Sequence, residues 1–328
     1  RKHERRHRDR MVLTTGWRWP DFLCLVMLCL GPIFFLALQL LCLCFRLSAT
    51  LYCLLCVWSW ISPTPMRGGR RWDWLRRGWI WDGVKRYFDA EVIVEEPLDP
   101  SRKYIMGQHP HGICVLGGWC NFFPLGTRAQ EKLGVDYRVS TVRFNFLVPF
   151  WRNFVMALGA VDVGQDSVRW MLRHHIMPII WIGGADESLL TSSEKTQLVL
   201  ERRKGFVKIA MQEGASLVPS FTFGENDILE AHQLSFVRGF QQKLKNMLGF
   251  TLPLFSGKCL FFPKNHHLVT VVGKPVEVPH LQDPTDEQLT EAHGRYVEAL
   301  VELYHRHREK YQDVDVPEDQ HRPLEIVA

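Results

Sequence analysis

Tyr104-Ile105-Met106-Gly107-Gln108-His109-Pro110-His111-Gly112-Ile113 decides how this chain is read. A short apolar run ends at Gly107, and two histidines follow, separated by a proline and closed by a glycine. Pro110 fixes its own φ and biases His109 toward extended geometry. Gly112 allows a tight turn or the close approach of a ligand. The pattern predicts a strand that stops and presents an imidazole at its carboxyl end, which is where ligands bind in α/β sheets. A His-x-His pair is also compatible with a loop hydrogen bond or a chance metal site, so its meaning depends on the rest of the chain.

Downstream of the histidines, short apolar runs alternate with helical stretches. The runs are Tyr104–Met106, Arg138–Val142, Gly159–Val163, Pro178–Ile182, Ser216–Phe221 and Leu268–Val272. Such alternation predicts an α/β fold, a mixed sheet covered by helices. Helices are signed by a cap at Asp166 or Ser167 with a run to Arg173, and by Arg202–Glu213 closed by Gly214. A last helix opens with Thr285-Asp286-Glu287-Gln288 and runs to Tyr311, with Leu289, Ala292, Tyr296, Leu300, Leu303 and Tyr304 inward. From Val314 the tail is polar and carries two prolines, and the expectation is partial order.

Upstream, Phe22 to Ile61 holds one charge, Arg46, and one amide, Gln39. A membrane span needs about 20 apolar residues, so this stretch allows two spans or one hairpin. Gly31-Pro32 and Arg46 are the candidate bends. Basic residues flank both sides, and the positive-inside rule places both ends in the cytosol. An N-terminal membrane hairpin is therefore expected. Trp58, Trp60, Trp72, Trp74, Trp79 and Trp81 suit an interfacial belt, and Trp72–Phe88 reads as an amphipathic helix leading off the membrane. Domain organisation is expected as a basic arm over 1–20, a hairpin over 21–62, an interfacial linker over 63–100, a catalytic domain over 101–312 and a polar tail over 313–328.

The chain has 328 residues, 46% of them hydrophobic, and a net charge of +5, which does not point to nucleic acid. Six of its nine cysteines (Cys24, Cys29, Cys42, Cys44, Cys53, Cys56) lie in the apolar segment and act as small apolar side chains. Cys114, Cys120 and Cys259 remain for the soluble part, in keeping with a reducing cytosol. Gly-x-Ser-x-Gly, the P-loop and Gly-x-Gly-x-x-Gly do not occur. His174-His175, His266-His267 and His305/His307 lack a linking third ligand, so no metal site is expected.

Three later stretches join the histidines. Ile182-Gly183-Gly184-Ala185-Asp186-Glu187-Ser188 is a strand end that becomes a glycine turn with two carboxylates, suited to holding an anion or a carbonyl oxygen. Arg202-Arg203-Lys204-Gly205 is a cationic helix start, suited to phosphates or simply to solvent. Leu217–Phe223 delivers Gly224-Glu225-Asn226 into a loop, where Glu225 could hold loop amides.

With these four motifs in order, the chain resembles the diacylglycerol O-acyltransferase type 2 family, which includes monoacylglycerol and wax-alcohol acyltransferases. The resemblance runs from Tyr104 to the final helix and rests on His109-Pro110-His111-Gly112, Gly183–Leu189, Arg203–Lys208, Leu217-Val218-Pro219 and Phe223–Asn226. The family's tyrosine-phenylalanine-proline motif stands here as Tyr87-Phe88-Asp89. The resemblance implies a glycerolipid-acyltransferase-like fold and transfer from acyl-CoA, a co-substrate, to diacylglycerol, with no cofactor. It implies a general base at His111, tuned by His109. The group that orients the imidazole is left open among Glu187, Glu225 and a main-chain carbonyl. Gly112, Gly183, Gly184, Arg202, Arg203, Lys204 and Asn226 are the expected substrate contacts, and Phe22, Leu23 and Leu25 resemble a neutral-lipid-binding pattern. The implied location is the endoplasmic reticulum membrane, multi-pass, with lipid droplets as a second site. A homo-oligomer is allowed. A non-catalytic lipid-droplet scaffold is the rival of a different class, and it would have no use for His111 or Glu187.

Overall fold

The computed structural model describes residues 19–232, 254–258, 262–314 and 316–328, so residues 1–18 of the basic arm and Cys259 lie outside the described residues. Its centre is a seven-stranded sheet. The strands are β1 (Glu91–Val94), β2 (Tyr104–His109), β3 (Tyr137–Thr141), β4 (Ala160–Asp162), β5 (Met177–Trp181), β7 (Ser216–Phe223) and β10 (Val269–Val272), in the order β1-β10-β7-β2-β5-β3-β4. β6 (Thr196–Val199) pairs outside this sheet with β11 (Leu324–Val327), and β8 (Glu230–His232) pairs with β9 (Leu254–Ser256).

From β7 to β4 neighbouring strands are parallel, while β10 runs antiparallel to β7. The expected mixed sheet is therefore present, with β1 and β10 forming an opposed edge. All six residues of β2 and all eight of β7 are buried, as expected for strands covered on both faces. Register sets Gly107 opposite Pro219 and His109 opposite Phe221, and Gln108 also pairs with Trp181 of β5. The carboxyl ends of β2, β5 and β7 thus lie side by side.

The final helix, Asp286–Tyr311, opens with the expected capping box: Thr285 Oγ1 accepts from the Gln288 amide, and Gln288 Oε1 accepts from the Thr285 amide at 2.9 Å. Its buried Ala292, Tyr296, Leu300, Leu303 and Tyr304 join Ile105, Leu217, Phe221 and Phe223 in one core. The other face of the sheet packs Met106, Val139, Ile179 and Val218 against Phe122, Tyr137 and Met156.

Several elements differ from the sequence pattern. β1, inside the expected linker, is a sheet strand, and the helix Trp79–Phe88 buries Trp81, Val84, Tyr87 and Phe88. The Trp-Arg mixture therefore packs one face on protein and exposes Trp74 and Trp79 from the other. The tail returns to the domain, where β11 runs parallel to β6.

Two apolar helices, Trp19–Leu43 and Arg46–Ile61, precede the domain, and by length and composition Trp19–Leu43 and the stretch Leu47–Met66 are candidate membrane segments. Gly31-Pro32 does not break the first helix. The turn falls at Cys44-Phe45, beside the other candidate bend, and Ser48 Oγ caps the Cys42 carbonyl across it at 2.6 Å. The two helices also meet where Tyr52 donates to Gln39 Oε1 at 2.6 Å. The first helix docks on the domain: Asp21 pairs with Arg86 at 2.7 Å, and Phe35 packs on Phe154 with ring centroids 5.2 Å apart. This docking leaves Leu25 fully buried beside Cys24 in a cluster with Val84 and Phe88. Phe22 contacts the rings of Tyr87 and Phe262, and Leu23 remains exposed. A helix pinned by Asp21 must turn one face inward, and at helical spacing Leu25 lies on it.

Candidate active site

β2 ends at His109, and the loop Pro110-His111-Gly112 turns across the sheet end, with a cis bond before Pro110 and Gly112 at φ +62°. A positive φ suits glycine. A Cβ at Gly112 would also lie 2.6 Å from the Glu225 side chain. Both constraints explain why glycine follows the second histidine.

The two imidazoles occupy different surroundings. His109 is fully buried, and its Nε2 lies 3.0 Å from the Tyr296 hydroxyl of the final helix. Its Nδ1 has no hydrogen-bond partner, and burial pushes its pKa down to about 3. Burial therefore favours the neutral imidazole at His109. His111 is only partly buried, and its Nδ1 lies 2.9 Å from its neighbour's carbonyl, Gly112 O. A carbonyl oxygen only accepts, so the proton sits on Nδ1, and the lone pair of Nε2 is left for a substrate proton. Burial lowers the His111 pKa from its ordinary value, partly offset by this hydrogen bond.

The partner of the His111 ring is thus a main-chain carbonyl. Glu187 and Glu225 instead hold main-chain amides. Glu187 accepts from the His111 amide and, at 3.1 Å, from the Val199 amide of β6. Glu225 accepts from the amides of Leu116 and Gly117 at 2.9 and 2.6 Å. Both carboxylates are buried, and burial pushes each up to about 7 despite these donors. The glycines beside them make room: a Cβ at Gly183 would fall 1.9 Å from Glu187 Oε2. Gly184, at φ +60°, opens the helix Gly184–Leu190 that carries Glu187.

The cations lie one step away. Arg203 pairs with Asp186 at 2.6 Å, Lys204 donates to Thr290 at 2.8 Å, and Arg202 is exposed. They sit before the helix Gly205–Glu213, and the Arg203–Asp186 pair reaches the same short helix that carries Glu187. Asn226 is buried beside Glu225, and its Oδ1 has no partner. Among the described residues, no group of three or more His, Cys, Asp or Glu is placed to hold a metal.

Sequence reasoning missed the polar network beneath the histidines. Ser220 donates to Gln108 Oε1 at 2.6 Å, Gln108 donates to Thr222 at 2.7 Å, Thr222 meets Thr270 at 2.7 Å, and Asn121 donates to Thr270 at 2.8 Å. It also missed Tyr296, which in the sequence is only another inward residue of a helix. Gly107 carried the one usable signal, since a glycine inside an apolar strand marks a close approach. A Cβ there would lie 2.0 Å from the Tyr296 hydroxyl.

The family model described as diacylglycerol acyltransferase matches residues 40–324. A diacylglycerol O-acyltransferase 2 of Dictyostelium discoideum is 37% identical over 270 residues, covering 78% of this chain and 82% of the relative. The Bos taurus diacylglycerol O-acyltransferase 2 is 36% identical over 81% of this chain and 77% of its own length. The Homo sapiens acyl-CoA wax alcohol acyltransferase 1 is 34% identical over 76% and 79%. Among solved structures, a 1-acyl-sn-glycerophosphate acyltransferase from Thermotoga maritima aligns with 86% of this chain and 96% of its own at a TM-score of 0.38 and 14% identity, too slight a likeness to reason from. The chain is an acyltransferase. More narrowly, it belongs to the diacylglycerol acyltransferase family.

Proposed function

We propose that this chain makes triacylglycerol by direct acyl transfer from acyl-CoA to the hydroxyl of diacylglycerol, with His111 as general base. The observation that carries the reading is the Nδ1 contact of His111 with Gly112 O, which leaves Nε2 basic at the carboxyl end of the central strand. Nε2 takes the hydroxyl proton as the oxygen attacks the thioester carbonyl. The tetrahedral intermediate collapses to the ester, the C–S bond breaks, and the imidazolium returns its proton to the leaving thiolate. Main-chain amides near Gly112 or Gly183-Gly184 stabilise the oxyanion, and Arg202, Arg203 and Lys204 receive the CoA phosphates. Glu187 and Glu225 hold the loops rather than the proton, and His109 shapes the strand end from beneath.

The apolar helices embed the chain in the endoplasmic reticulum membrane as a hairpin, with both ends cytosolic. Basic residues flank both sides of this apolar stretch, and the positive-inside rule places both flanks on one face. The hairpin is therefore read as entering and leaving by the same face, which delivers diacylglycerol laterally to the site. Labelled acyl-CoA with a panel of diacylglycerol, monoacylglycerol and long-chain alcohol tests the assignment in the purified protein. Triacylglycerol as the main product supports it. A preference for another acceptor corrects the substrate, and no ester at all indicates a scaffold.

A further inference from the structure

The helix Pro149–Leu158 carries Arg152 inward in its first turn, and the side chain is fully buried. Nη2 of Arg152 reaches the Ser62 carbonyl at 3.3 Å, at the end of the second apolar helix. Its guanidinium carbon sits 5.2 Å from the centre of the Trp58 ring, and that of Arg70 sits 5.8 Å from the same ring. Nε and Nη1 of Arg152 have no hydrogen-bond partner. The buried hydroxyl of Ser59, one helical turn before Ser62, has none either. Burial and Arg70, a charge of like sign, both push Arg152 down from the usual guanidinium range.

A buried guanidinium with unmet donors is costly unless an anion meets them. Its planar fork fits a phosphate through paired hydrogen bonds, and the amino end of the helix adds partial positive charge. Depth identifies the anion's source. Trp60 and Ile61 are exposed at this end of an apolar helix, where aromatic belts mark the level of lipid headgroups. Basic pockets beside membrane helices at that level suit anionic headgroups.

We propose that Arg152, Arg70 and Ser59 form a binding site for the phosphate of an anionic membrane lipid, seated where the second apolar helix meets the domain. The lipid phosphate meets one unpaired edge of the Arg152 guanidinium and ties the hairpin to the catalytic body. The site is separate from the acyl-transfer residues. It rests on the membrane reading above, which extraction of the expressed chain from membranes by alkaline carbonate tests independently.

The full chain in neutral detergent micelles is titrated with phosphatidic acid, with phosphatidylcholine or with inorganic phosphate, and its melting temperature is followed. Phosphatidic acid is expected to raise the melting temperature well above the phosphatidylcholine value, since a ligand of the native state stabilises it. Arg70→Gln, an exposed position that leaves the core intact, should weaken the apparent affinity about tenfold, the weight of one charge-assisted hydrogen bond. Ser59→Ala should weaken it less, and Arg152→Lys should abolish the gain if it folds. An equal gain in wild type, Arg70→Gln and Ser59→Ala overturns the site. An equal gain with inorganic phosphate overturns the lipid as its source, and no gain with phosphatidic acid overturns the proposal outright.

Discussion

His109 Nε2 and the Tyr296 hydroxyl lie 3.0 Å apart, joining the last residue of the central strand to a helix almost two hundred residues later in the chain. Both groups are fully buried. Removing one partner strands the other, at a cost of about 1–3 kcal/mol. Tyr296→Phe should therefore lower thermal stability while leaving most of kcat, and His109→Ala should destabilise more than it inactivates. Melting curves beside steady-state kinetics read the two effects apart. A stable His109→Ala protein with no turnover would move the general base to His109.

Gly107 sits directly under the same tyrosine. A Cβ there would lie 2.0 Å from the Tyr296 hydroxyl and 2.6 Å from Ile182 Cδ1. Gly107→Ala should cost about 1–3 kcal/mol, the usual weight of overpacking. Part of that loss should return in the Gly107→Ala/Tyr296→Phe double variant, because contacting sites are not additive. Additive losses across the double-mutant cycle would mean that the two positions do not meet.

These two positions show which parts of the structure are readable in sequence. The sheet strands β2, β3, β4, β5, β7 and β10 each carry an apolar run, and the capping box at Thr285 is local chemistry, so both are visible within a few residues. His111 is visible because Pro110 and Gly112 frame it. β6 and β11 were not visible, since each is four residues long and they pair across more than a hundred positions. Glu225 was legible as a possible holder of loop amides, whereas the amide-holding role of Glu187 was hidden, because a carboxylate after a glycine turn looks alike whether it orients a ring or a backbone. The packing of Leu25 on Val84 and Phe88 was not visible, because hydropathy looks alike for a lipid-facing leucine and a buried one.

Glu225 should leave a signed mark on stability. Its pKa rises from 4.5 to about 7 on burial, so the folded state holds the proton more tightly than the unfolded chain. The resulting contribution to stability is full below about 4.5 and is lost as pH rises through about 7. Glu225→Gln lacks this loss. It should start less stable than wild type, because an amide satisfies the Leu116 and Gly117 donors poorly. Its deficit should then shrink by up to about 3 kcal/mol between pH 5 and 8. A deficit of constant size would show that the carboxyl does not titrate in this window.

Removal of residues 323–328 tests whether the tail supports the site. The deletion takes away β11, the partner of β6, and β6 supplies the Val199 amide that helps hold Glu187. Arg322, which pairs with Asp227 at 2.8 Å, stays in place. The truncated protein should fold and bind acyl-CoA but show a several-fold lower kcat, since a loosened Glu187 holds the His111 loop less firmly. Unchanged kcat would mean that β6 keeps its place alone.

His111 carries the sharpest prediction. Its Nδ1 contact with Gly112 O leaves Nε2 as the atom that meets substrate, so His111→Ala should lower kcat by roughly 10²–10⁴-fold, the range of general base catalysis. The fold should survive, because the hydrogen bond to Glu187 comes from the main chain and not from the ring. His111→Gln keeps a donor and an acceptor but cannot take a proton at neutral pH, and it should be as inactive as the alanine variant. Only the neutral imidazole is a base, and burial lowers its pKa. The wild-type kcat/KM should therefore rise with pH through a value below about 6.5 and then level off. A further limb near 7 that vanishes in Glu187→Gln would belong to the carboxyl holding the His111 amide. Substantial turnover in a folded His111→Gln protein would refute the base assignment. It would move the search for the base to His109, which lies against Tyr296, or to Glu187.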